Sequence, residues 1–387
     1  MNENFEKIGA YIDSQRDDLI RFWKELVNFQ AGSKEIEKVT CLIERTKARF
    51  EEEGFHCHLI PSAKAPVLIA MDGEDRPGKP ILLGGHLDTV FPDGSYPENP
   101  FRIDENGVAH GPGVLDMKGG DAMMLYIVKA LRHIGFDRNP IKIMLVGDEE
   151  IAHAGSGVEK IIEQEARGCL CAFNLEIGRM DNGLSVGRKG SLDCHVTVKG
   201  KGGHVGNDFL SGRNAIEEMA HKILALQALT RYDEGVVVSV DVISGGTVSN
   251  AVPDRCKIEI DARFSHAVDM PIVKKQIEDV CAVTYIEGTE TTVEFVGEIP
   301  VFEKTDGNVN MVDRLNEVAD TYGYPRFVPV FPGGNSDVSF ISLAGIPAIC
   351  SCGVQGSGAH TMEECAVVET IFQRTKIIAA AISQWDS

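Results

Sequence analysis

Hydrophobic residues in the first half of the chain form short continuous runs that alternate with amphipathic helical patterns. The apolar runs cover residues 67–71, 81–85, 141–146 and 172–175. The main helical patterns cover residues 116–134 and 158–165, and another covers residues 13–25. Strands that are apolar along their whole length are buried on both faces, as in a parallel sheet covered by helices. The pattern therefore predicts an α/β domain, with a mostly parallel mixed sheet between helices.

The pattern changes near Gly190, where strands begin to alternate apolar and polar residues. Predicted strands cover residues 191–199, 236–244, 255–264 and 291–297, and predicted helices cover residues 214–229 and 270–280. This β-α-β-β-α-β order is typical of a ferredoxin-like α+β unit. The α/β pattern returns after residue 301, with helices at 308–322 and 368–384 and a strand at 348–352. We therefore expect one domain, residues 1–189 and 301–387, to carry a second domain, residues 190–300, as an insertion.

The net charge and the apolar content of the chain limit which partners and which cellular location we expect for the protein. The chain has 387 residues and a formal net charge of −20, which argues against nucleic acid and anionic membrane surfaces as partners. It contains no apolar run of the length that crosses a bilayer, so we expect no membrane span. The acidic N-terminal segment does not resemble a secretory signal, and the ten cysteines form no C-x-x-C pair. We expect a cytoplasmic protein with reduced, buried thiols.

The apolar run at residues 81–85 leads directly to a histidine and an aspartate, His86 and Asp88. Side chains two residues apart in a strand point to the same face. A carboxylate beside an imidazole fixes the tautomer of a metal-binding histidine and makes it a better ligand. By itself the pair also fits an ordinary structural histidine, so its meaning depends on other residues.

Further acidic and histidine residues follow other predicted strands or begin a helix. They are Asp116, Glu149, Glu150, Glu176 and His360. Ligands of open parallel sheets bind at the carboxyl ends of the strands. Taken singly, each residue has a simpler explanation, such as a helix N-cap for Asp116 or a solvated loop for the two adjacent glutamates. Together, imidazoles and carboxylates without thiolates suit a catalytic zinc site, and cobalt or manganese also suits such ligands.

The motifs around these residues are specific in combination. The segments containing His86, Asp116, Glu149, Glu176 and His360 resemble, in order, the co-catalytic zinc peptidase family. That family includes carboxypeptidase G, aminoacylase, acetylornithine deacetylase and succinyl-diaminopimelate desuccinylase. The resemblance implies a di-zinc catalytic domain with an inserted lid and dimerisation domain.

The resemblance implies two Zn²⁺ ions per subunit and names the side chains that would bind each ion. His86 and Glu176 would bind one ion, Glu150 and His360 the other, and Asp116 would bridge both. The Asp116–Met117 peptide is expected to be cis.

Two further roles in the catalytic domain follow from the resemblance. Asp88 would orient His86 without contacting metal. Glu149 would be the base that activates the water between the metals and later protonates the leaving amine.

The inserted domain carries further matches to the family. His204 resembles a lid histidine that reaches the active site of the partner subunit, although Val205 stands where relatives usually have a smaller residue. Asn250 and Arg263 match substrate-holding positions, and Gly334 lies in a glycine loop on the substrate side. The simpler alternatives are a turn histidine, a surface arginine, and a helix N-cap formed by Ser336 or Asn335.

We therefore expect a zinc-dependent carboxypeptidase acting on small peptides or N-acyl amino acids, as a homodimer formed through the lid domain. The alternative within the family is an N-acyl-amino-acid deacylase of the acetylornithine or succinyl-diaminopimelate type. A metal-binding protein that has lost catalysis is a third reading, but Glu149 and all five ligand positions are present. The amide cleaved would lie beside a free carboxylate, which an arginine such as Arg263 suits.

Overall fold

A computed structural model describes residues 3–385, and the chain divides there into two compact units. The first unit comprises the described residues up to Gly187, together with Lys304–Pro332 and the described residues from Ser336 onward. The second unit comprises Arg188–Glu303 and Gly333–Asn335. That the second unit acts as a lid and a dimerisation domain stays a prediction.

The described chain forms ten α-helices and eighteen strands. The helices are α1 (Glu3–Ser14), α2 (Arg16–Asn28), α3 (Ile36–Glu52), α4 (Lys118–His133), α5 (Val158–Ala166), α6 (Ala215–Gln227), α7 (Asp269–Ala282), α8 (Asp306–Tyr322), α9 (Val338–Ser342) and α10 (Val368–Ser383). The strands are β1 (His56–Ile60), β2 (Val67–Asp72), β3 (Ile81–His86), β4 (Arg102–Ile103), β5 (Val108–His110), β6 (Ile141–Val146), β7 (Cys171–Asn174), β8 (Gly183–Ser185), β9 (Gly190–Lys199), β10 (Gly203–His204), β11 (Val237–Gly245), β12 (Ala251–Val252), β13 (Arg255–Phe264), β14 (Glu290–Ile299), β15 (Val328–Val330), β16 (Ala348–Ile349), β17 (Gly356–Ser357) and β18 (Cys365–Val367).

The central sheet of the first unit has six strands in the order β1-β2-β6-β3-β7-β16. Strands β6, β3, β7 and β16 pair in parallel, whereas β1 and β2 are antiparallel additions at one edge. Every residue of β3 is buried, as expected for a strand covered on both faces. The predicted α/β class with a mostly parallel mixed sheet is confirmed.

Helix α4 is buried along nearly its whole length and packs against β3 and α10. Its first turn passes very close to the segment that follows β7. A Cβ atom at Gly120 would lie 2.0 Å from the carbonyl oxygen of Leu175, and one at Gly353 would lie 2.2 Å from the same oxygen. Only glycine at positions 120 and 353 permits so close an approach to Leu175. The two close contacts fix the position of the chain immediately before Glu176.

Two small sheets in the first unit were not predicted from the sequence. Strands β17, β18, β5 and β4 form a four-stranded sheet, and β8 pairs in parallel with β15. Their strands are only two or three residues long, too short to give a readable hydrophobic period. The N-terminal prediction also needs correction. The helical pattern at residues 13–25 belongs to two helices, α1 and α2, which are separated at Gln15.

The second unit is a four-stranded antiparallel sheet in the order β11-β13-β9-β14, with helices α6 and α7 packed on it. Alternate residues of β13 are buried, which gives the sheet one apolar face for the helices. The side chain of Asn214 caps α6 by accepting hydrogen bonds from the N–H groups of Ile216 and Glu217. This is the ferredoxin-like arrangement that the element order predicted.

Eight of the ten cysteines are buried. None of the helices within residues 3–385 is long and apolar enough to cross a membrane.

Candidate metal centre

Three neighbouring strands of the central sheet deliver acidic and imidazole side chains to one edge. His86 is the last residue of β3. Glu149 and Glu150 lie in a short 3₁₀ turn after β6, and Glu176 lies two residues beyond the end of β7. Because β6, β3 and β7 are adjacent and parallel, their carboxyl ends meet at the same edge. Neighbouring strands thus bring together residues that lie up to 90 positions apart in the sequence.

Two loops complete the cluster. Asp116 lies just before α4, and the Asp116–Met117 peptide is cis, which confirms the expectation for this bond. Asp116 does not cap α4, because the N-cap position is Met117 and no side chain makes a capping hydrogen bond there. His360 follows β17, so this short strand lies between His360 and β16 in the chain. The backbone of His360 has a φ of +64°.

These side chains form two groups that share one residue. His86, Asp116 and Glu176 offer ligand atoms that lie within 4.8 Å of one another, and so do Asp116, Glu150 and His360. His86 Nε2 lies 3.2 Å from Asp116 Oδ1 and 3.5 Å from Glu176 Oε1. His360 Nε2 lies 3.1 Å from both Asp116 Oδ2 and Glu150 Oε2. Each oxygen of Asp116 therefore faces a different group.

The electrostatics of the cluster call for positive charge. Burial lowers the pKa of His86, but hydrogen bonds with the carboxylates of Asp116, Asp88 and Glu176 raise it well above its ordinary value. Hydrogen bonds with Asp116 and Glu150 raise the pKa of His360 to about 10. Protons on the two imidazoles would offset only two of the three carboxylates in these groups. Divalent cations held by the same nitrogen and oxygen atoms would balance them better, so this donor set fits a pair of metal ions.

Glu149 belongs to neither group, although it is adjacent to a member of one. Its Oε2 atom lies 4.0 Å from His86 Nε2, and its side chain is 17% exposed. Burial raises the pKa of Glu149 well above its ordinary value, and the charges of Glu176, Asp337 and Glu150 raise it further against the opposing effect of His86. A carboxylate of raised pKa beside a metal pair is suited to accept and return a proton.

Asp88 contacts both His86 and the glutamate turn. The Nδ1 atom of His86 lies 3.0 Å from the main-chain oxygen of Asp88 and 3.5 Å from its carboxylate Oδ1. The carboxylate of Asp88 accepts hydrogen bonds from the N–H groups of Glu149 and Glu150, at 3.3 and 3.2 Å. Asp88 thus reaches His86 mainly through its main-chain carbonyl, and it also holds the turn that carries the two glutamates.

Sequence reasoning missed Glu364, which holds the loop that carries Asp116. Its buried carboxylate accepts hydrogen bonds from the N–H groups of Gly113, Leu115 and Asp116, at 3.1, 2.7 and 3.0 Å. The only local signal was an acidic pair, Glu363 and Glu364, a few residues after His360. The partners lie about 250 positions away, so no spacing rule could have identified them.

We expect Glu364→Ala to lower the free energy of unfolding of the metal-free protein by on the order of 3 kcal/mol, because three N–H groups lose their acceptor. Urea unfolding of the metal-free variant measures the change. Glu363→Ala is the matched control, since this neighbouring glutamate is exposed and should change stability by less than about 0.5 kcal/mol. Equal effects of the two substitutions would contradict the assigned role of Glu364.

His204 and Asn250 lie together in the second unit. The short strands β10 and β12 pair His204 with Ala251, and the main-chain oxygen of Asn250 accepts a hydrogen bond from the N–H of Val205 at 3.0 Å. The Nδ1 atom of His204 accepts a hydrogen bond from the N–H of Gly206 at 3.1 Å. The ring proton of the neutral imidazole is therefore on Nε2, which remains able to donate to an oxyanion.

Arg263 and Gly334 also lie in the second unit, each with an established contact. The Nε and Nη2 atoms of Arg263 form a two-pronged pair with the carboxylate of Asp261, at 2.7 and 2.6 Å. The carbonyl of Gly334 accepts a hydrogen bond from Arg188 at 2.9 Å. The alternative reading of the glycine loop as a side-chain N-cap is wrong, because α9 begins without any capping hydrogen bond from a side chain.

Comparison with known proteins agrees with this geometry. A profile described as Peptidase family M20/M25/M40 matches residues 82–384. The chain is 27% identical over 350 residues to carboxypeptidase G2 of Pseudomonas sp. (strain RS-16), a match that covers 89% of this chain and 83% of the relative. It is 29% identical over 374 residues to a succinyl-diaminopimelate desuccinylase of Xanthobacter autotrophicus, which covers 91% and 94%.

Solved structures share the fold at lower sequence identity. Aminopeptidase PepT of Bacillus cereus superposes with a TM-score of 0.79 at 20% identity, covering 95% of this chain and 98% of that one. The metallo-carboxypeptidase Sso-CP2 of Sulfolobus solfataricus gives a TM-score of 0.77 at 17% identity, covering 94% and 98%. The profile spans most of the chain and includes every residue of both groups that could hold a metal ion. The chain therefore belongs to peptidase family M20/M25/M40, a family of metal-dependent peptidases and amidohydrolases.

Proposed function

We propose that this protein is a two-zinc hydrolase that cleaves an amide bond beside a free carboxylate, as a carboxypeptidase acting on small peptides or N-acyl amino acids. One observation carries the proposal. The two oxygens of Asp116 are divided between two groups of ligand atoms, with Oδ1 facing His86 and Oδ2 facing His360. A carboxylate in that position suits a shared ligand of a metal pair.

Five side chains would hold the two ions. His86 and Glu176 would hold one, Glu150 and His360 the other, and Asp116 both. Two Zn²⁺ ions bound there would polarise the scissile carbonyl and lower the pKa of the attacking water, and Co²⁺ or Mn²⁺ suits the same atoms. The imidazole of His360 is 58% exposed, so the pair is open to substrate from that side of the first unit.

Glu149 would move the proton that the reaction requires. Its carboxylate would accept a proton from the attacking water at Oε2 and return it to the nitrogen of the leaving amine. The main-chain N–H of Glu149 is held by Asp88, so the carboxylate starts from a fixed backbone position. Glu150, the other glutamate of the 3₁₀ turn, could not serve as the base, because its carboxylate faces Asp116 and His360.

Residues of the second unit would bind the substrate. Nε2 of His204 would donate to the oxyanion in the active site of the partner subunit, and Asn250 and the loop containing Gly334 would contact the substrate. Because Arg263 uses Nε and Nη2 for Asp261, its Nη1 group is the one that would receive a substrate carboxylate. The homodimer formed through this unit, and the cytoplasmic location, remain predictions.

A cavity of about 310 Å³ beside Glu150 offers room for a substrate side chain. Its lining includes the apolar side chains of Val90, Pro92 and Ile151, together with Ser33, Thr89, Glu35 and the exposed Lys34. The apolar part of this lining would contact an aliphatic stem of the substrate side chain. A peptide residue and an acyl chain would both fit this description.

The second candidate is an N-acyl-amino-acid deacylase. One desuccinylase relative, that of Xanthobacter autotrophicus, matches 91% of this chain, against 89% for carboxypeptidase G2. Both reactions cleave an amide beside a carboxylate, so the catalytic residues would be the same.

A substrate panel separates the two activities. The zinc-loaded protein would be assayed against dipeptides with C-terminal glutamate and against N-acetyl and N-succinyl amino acids. We expect the dipeptides to give the higher kcat/KM. Turnover of acyl amino acids without peptide cleavage would show that the protein is a deacylase and not a carboxypeptidase. If no amide is cleaved, the proposed function as a whole is contradicted.

A further inference from the structure

A buried histidine lies between two buried aspartates, next to the turn that carries Glu149. His153 Nδ1 lies 2.7 Å from Asp148 Oδ1, and His153 Nε2 lies 2.6 Å from Asp337 Oδ1. The exposed fractions of His153, Asp148 and Asp337 are 2%, 0% and 6%. The ring of Phe340 packs edge-on against the imidazole, with 5.7 Å between centroids. No motif in the sequence connects these residues.

The geometry defines the charge of this bridge. Both ring nitrogens of His153 face carboxylate oxygens, and only the imidazolium form can donate a hydrogen bond from both. Burial lowers the pKa of His153, but the two carboxylates raise it well above its ordinary value. The imidazole and the two carboxyl groups are therefore buried together, and each ring nitrogen of His153 is paired with an oxygen of a different aspartate.

The bridge closes the turn between β6 and α5. Asp148 directly precedes Glu149, and the N–H of His153 donates to the main-chain oxygen of Asp148 at 3.0 Å. Ala152 and His153 both have positive φ, 49° and 53°. Two consecutive non-glycine residues in this region cost on the order of 1–3 kcal/mol each, so other contacts must hold the turn in this form. The side-chain bridge supplies contacts at both nitrogens of His153.

We propose that His153 is a positioning residue for the hydrolytic reaction, whose imidazolium ties Asp148 to Asp337 and thereby fixes the backbone from which the Glu149 carboxylate projects. This inference rests on the proposed role of Glu149 as the base. Asp88 holds the same turn through the N–H groups of Glu149 and Glu150. Asp88 therefore acts through main-chain N–H groups of the turn, whereas His153 acts through the side chain of the residue that precedes Glu149.

Two variants separate positioning from general structural support. His153→Gln removes the ring whose two nitrogens contact both Asp148 and Asp337. Adding Asp337→Asn leaves one carboxyl group in the bridge and allows amide hydrogen bonds in place of the contacts of the ring. His58→Gln is the matched control, because His58 is exposed on β1.

We expect His153→Gln to lower kcat about 10–100-fold, the range typical of residues that orient a reactive group, with KM changed less than about threefold and both metals retained. The double variant should recover at least about tenfold of the lost kcat. In the metal-free protein, amide hydrogen exchange across residues 148–153 should be faster in His153→Gln by at least about tenfold and return toward the parental rate in the double variant.

The result for His153 can be told apart from a failure of the proposed function, because turnover by the parent protein tests that function separately. An active parent with unchanged kcat and exchange in His153→Gln would overturn the inference. So would a loss explained by missing metal or by raised KM alone. If His153→Gln does not fold, the double variant carries the test: kcat within about tenfold of the parent supports the bridge, and a lower value overturns it.

Discussion

Glu149→Gln is expected to lower kcat by about 10²–10⁴-fold, the contribution typical of a general base, while both metal ions stay bound. Glutamine preserves the size of the side chain but cannot accept a proton at Oε2. Glu149 is the carboxylate of the cluster that neither group of ligand atoms includes, so metal content should not change. The adjacent Glu150 cannot replace it, because its Oε2 atom lies 3.1 Å from His360 and is committed to the metal group.

Steady-state kinetics and elemental analysis of the same preparation would measure the effect. Glu105→Gln is the matched control, since Glu105 is an exposed loop residue and should leave both quantities unchanged. Full hydrolytic activity in Glu149→Gln would contradict the assignment of Glu149 as the general base. A loss of activity together with a loss of metal would instead make Glu149 a ligand.

Asp116→Ala is expected to remove both metal ions and, with them, hydrolysis. Each group would lose one of its three ligand atoms at once, because Oδ1 serves the group of His86 and Oδ2 that of His360. The loss should exceed the about 10–100-fold change in metal affinity or activity typical of a residue that only supports a ligand. Glu176→Gln, by contrast, weakens one group and should chiefly lower the occupancy of one ion.

Metal content per chain after equilibration at a fixed, buffered concentration of free Zn²⁺ is the direct measurement. Asp75→Ala is the control, because Asp75 is exposed and lies outside the cluster. Asp116→Ala should bind fewer than one ion per chain, against two for the parent. One ion per chain with full activity, in either protein, would contradict a shared pair.

Local patterns predicted much of the scaffold. The apolar run at residues 141–146 coincides with β6, and the alternating run at residues 255–264 coincides with β13. Such runs succeed because burial on one or both faces of a strand imposes a period that is readable within the strand itself. The short strands of the small sheets failed this test, since two or three residues carry no period.

The residue types of the site were also readable, as motifs that resemble a known family. The assignment of the base to Glu149 and of the ligand to Glu150 came from that resemblance, and the structure gives this assignment a physical basis. Two adjacent residues in a 3₁₀ turn point in different directions, so one carboxylate joins Asp116 and His360 while the other does not. The main-chain contact of Asp88 with His86 could not be read from residue types at all.

The sequence by itself determined the longer elements and their order, and which side chains can bind metal, because these depend on local periodicity and on short motifs. Only the tertiary structure decided which charges meet. Glu364 reaches Gly113 across 251 positions, and His153 reaches Asp337 across 184. Contacts of this kind arise from the packing of distant loops around one sheet, and the hydrophobic pattern that drives the packing does not specify which polar atoms it brings together.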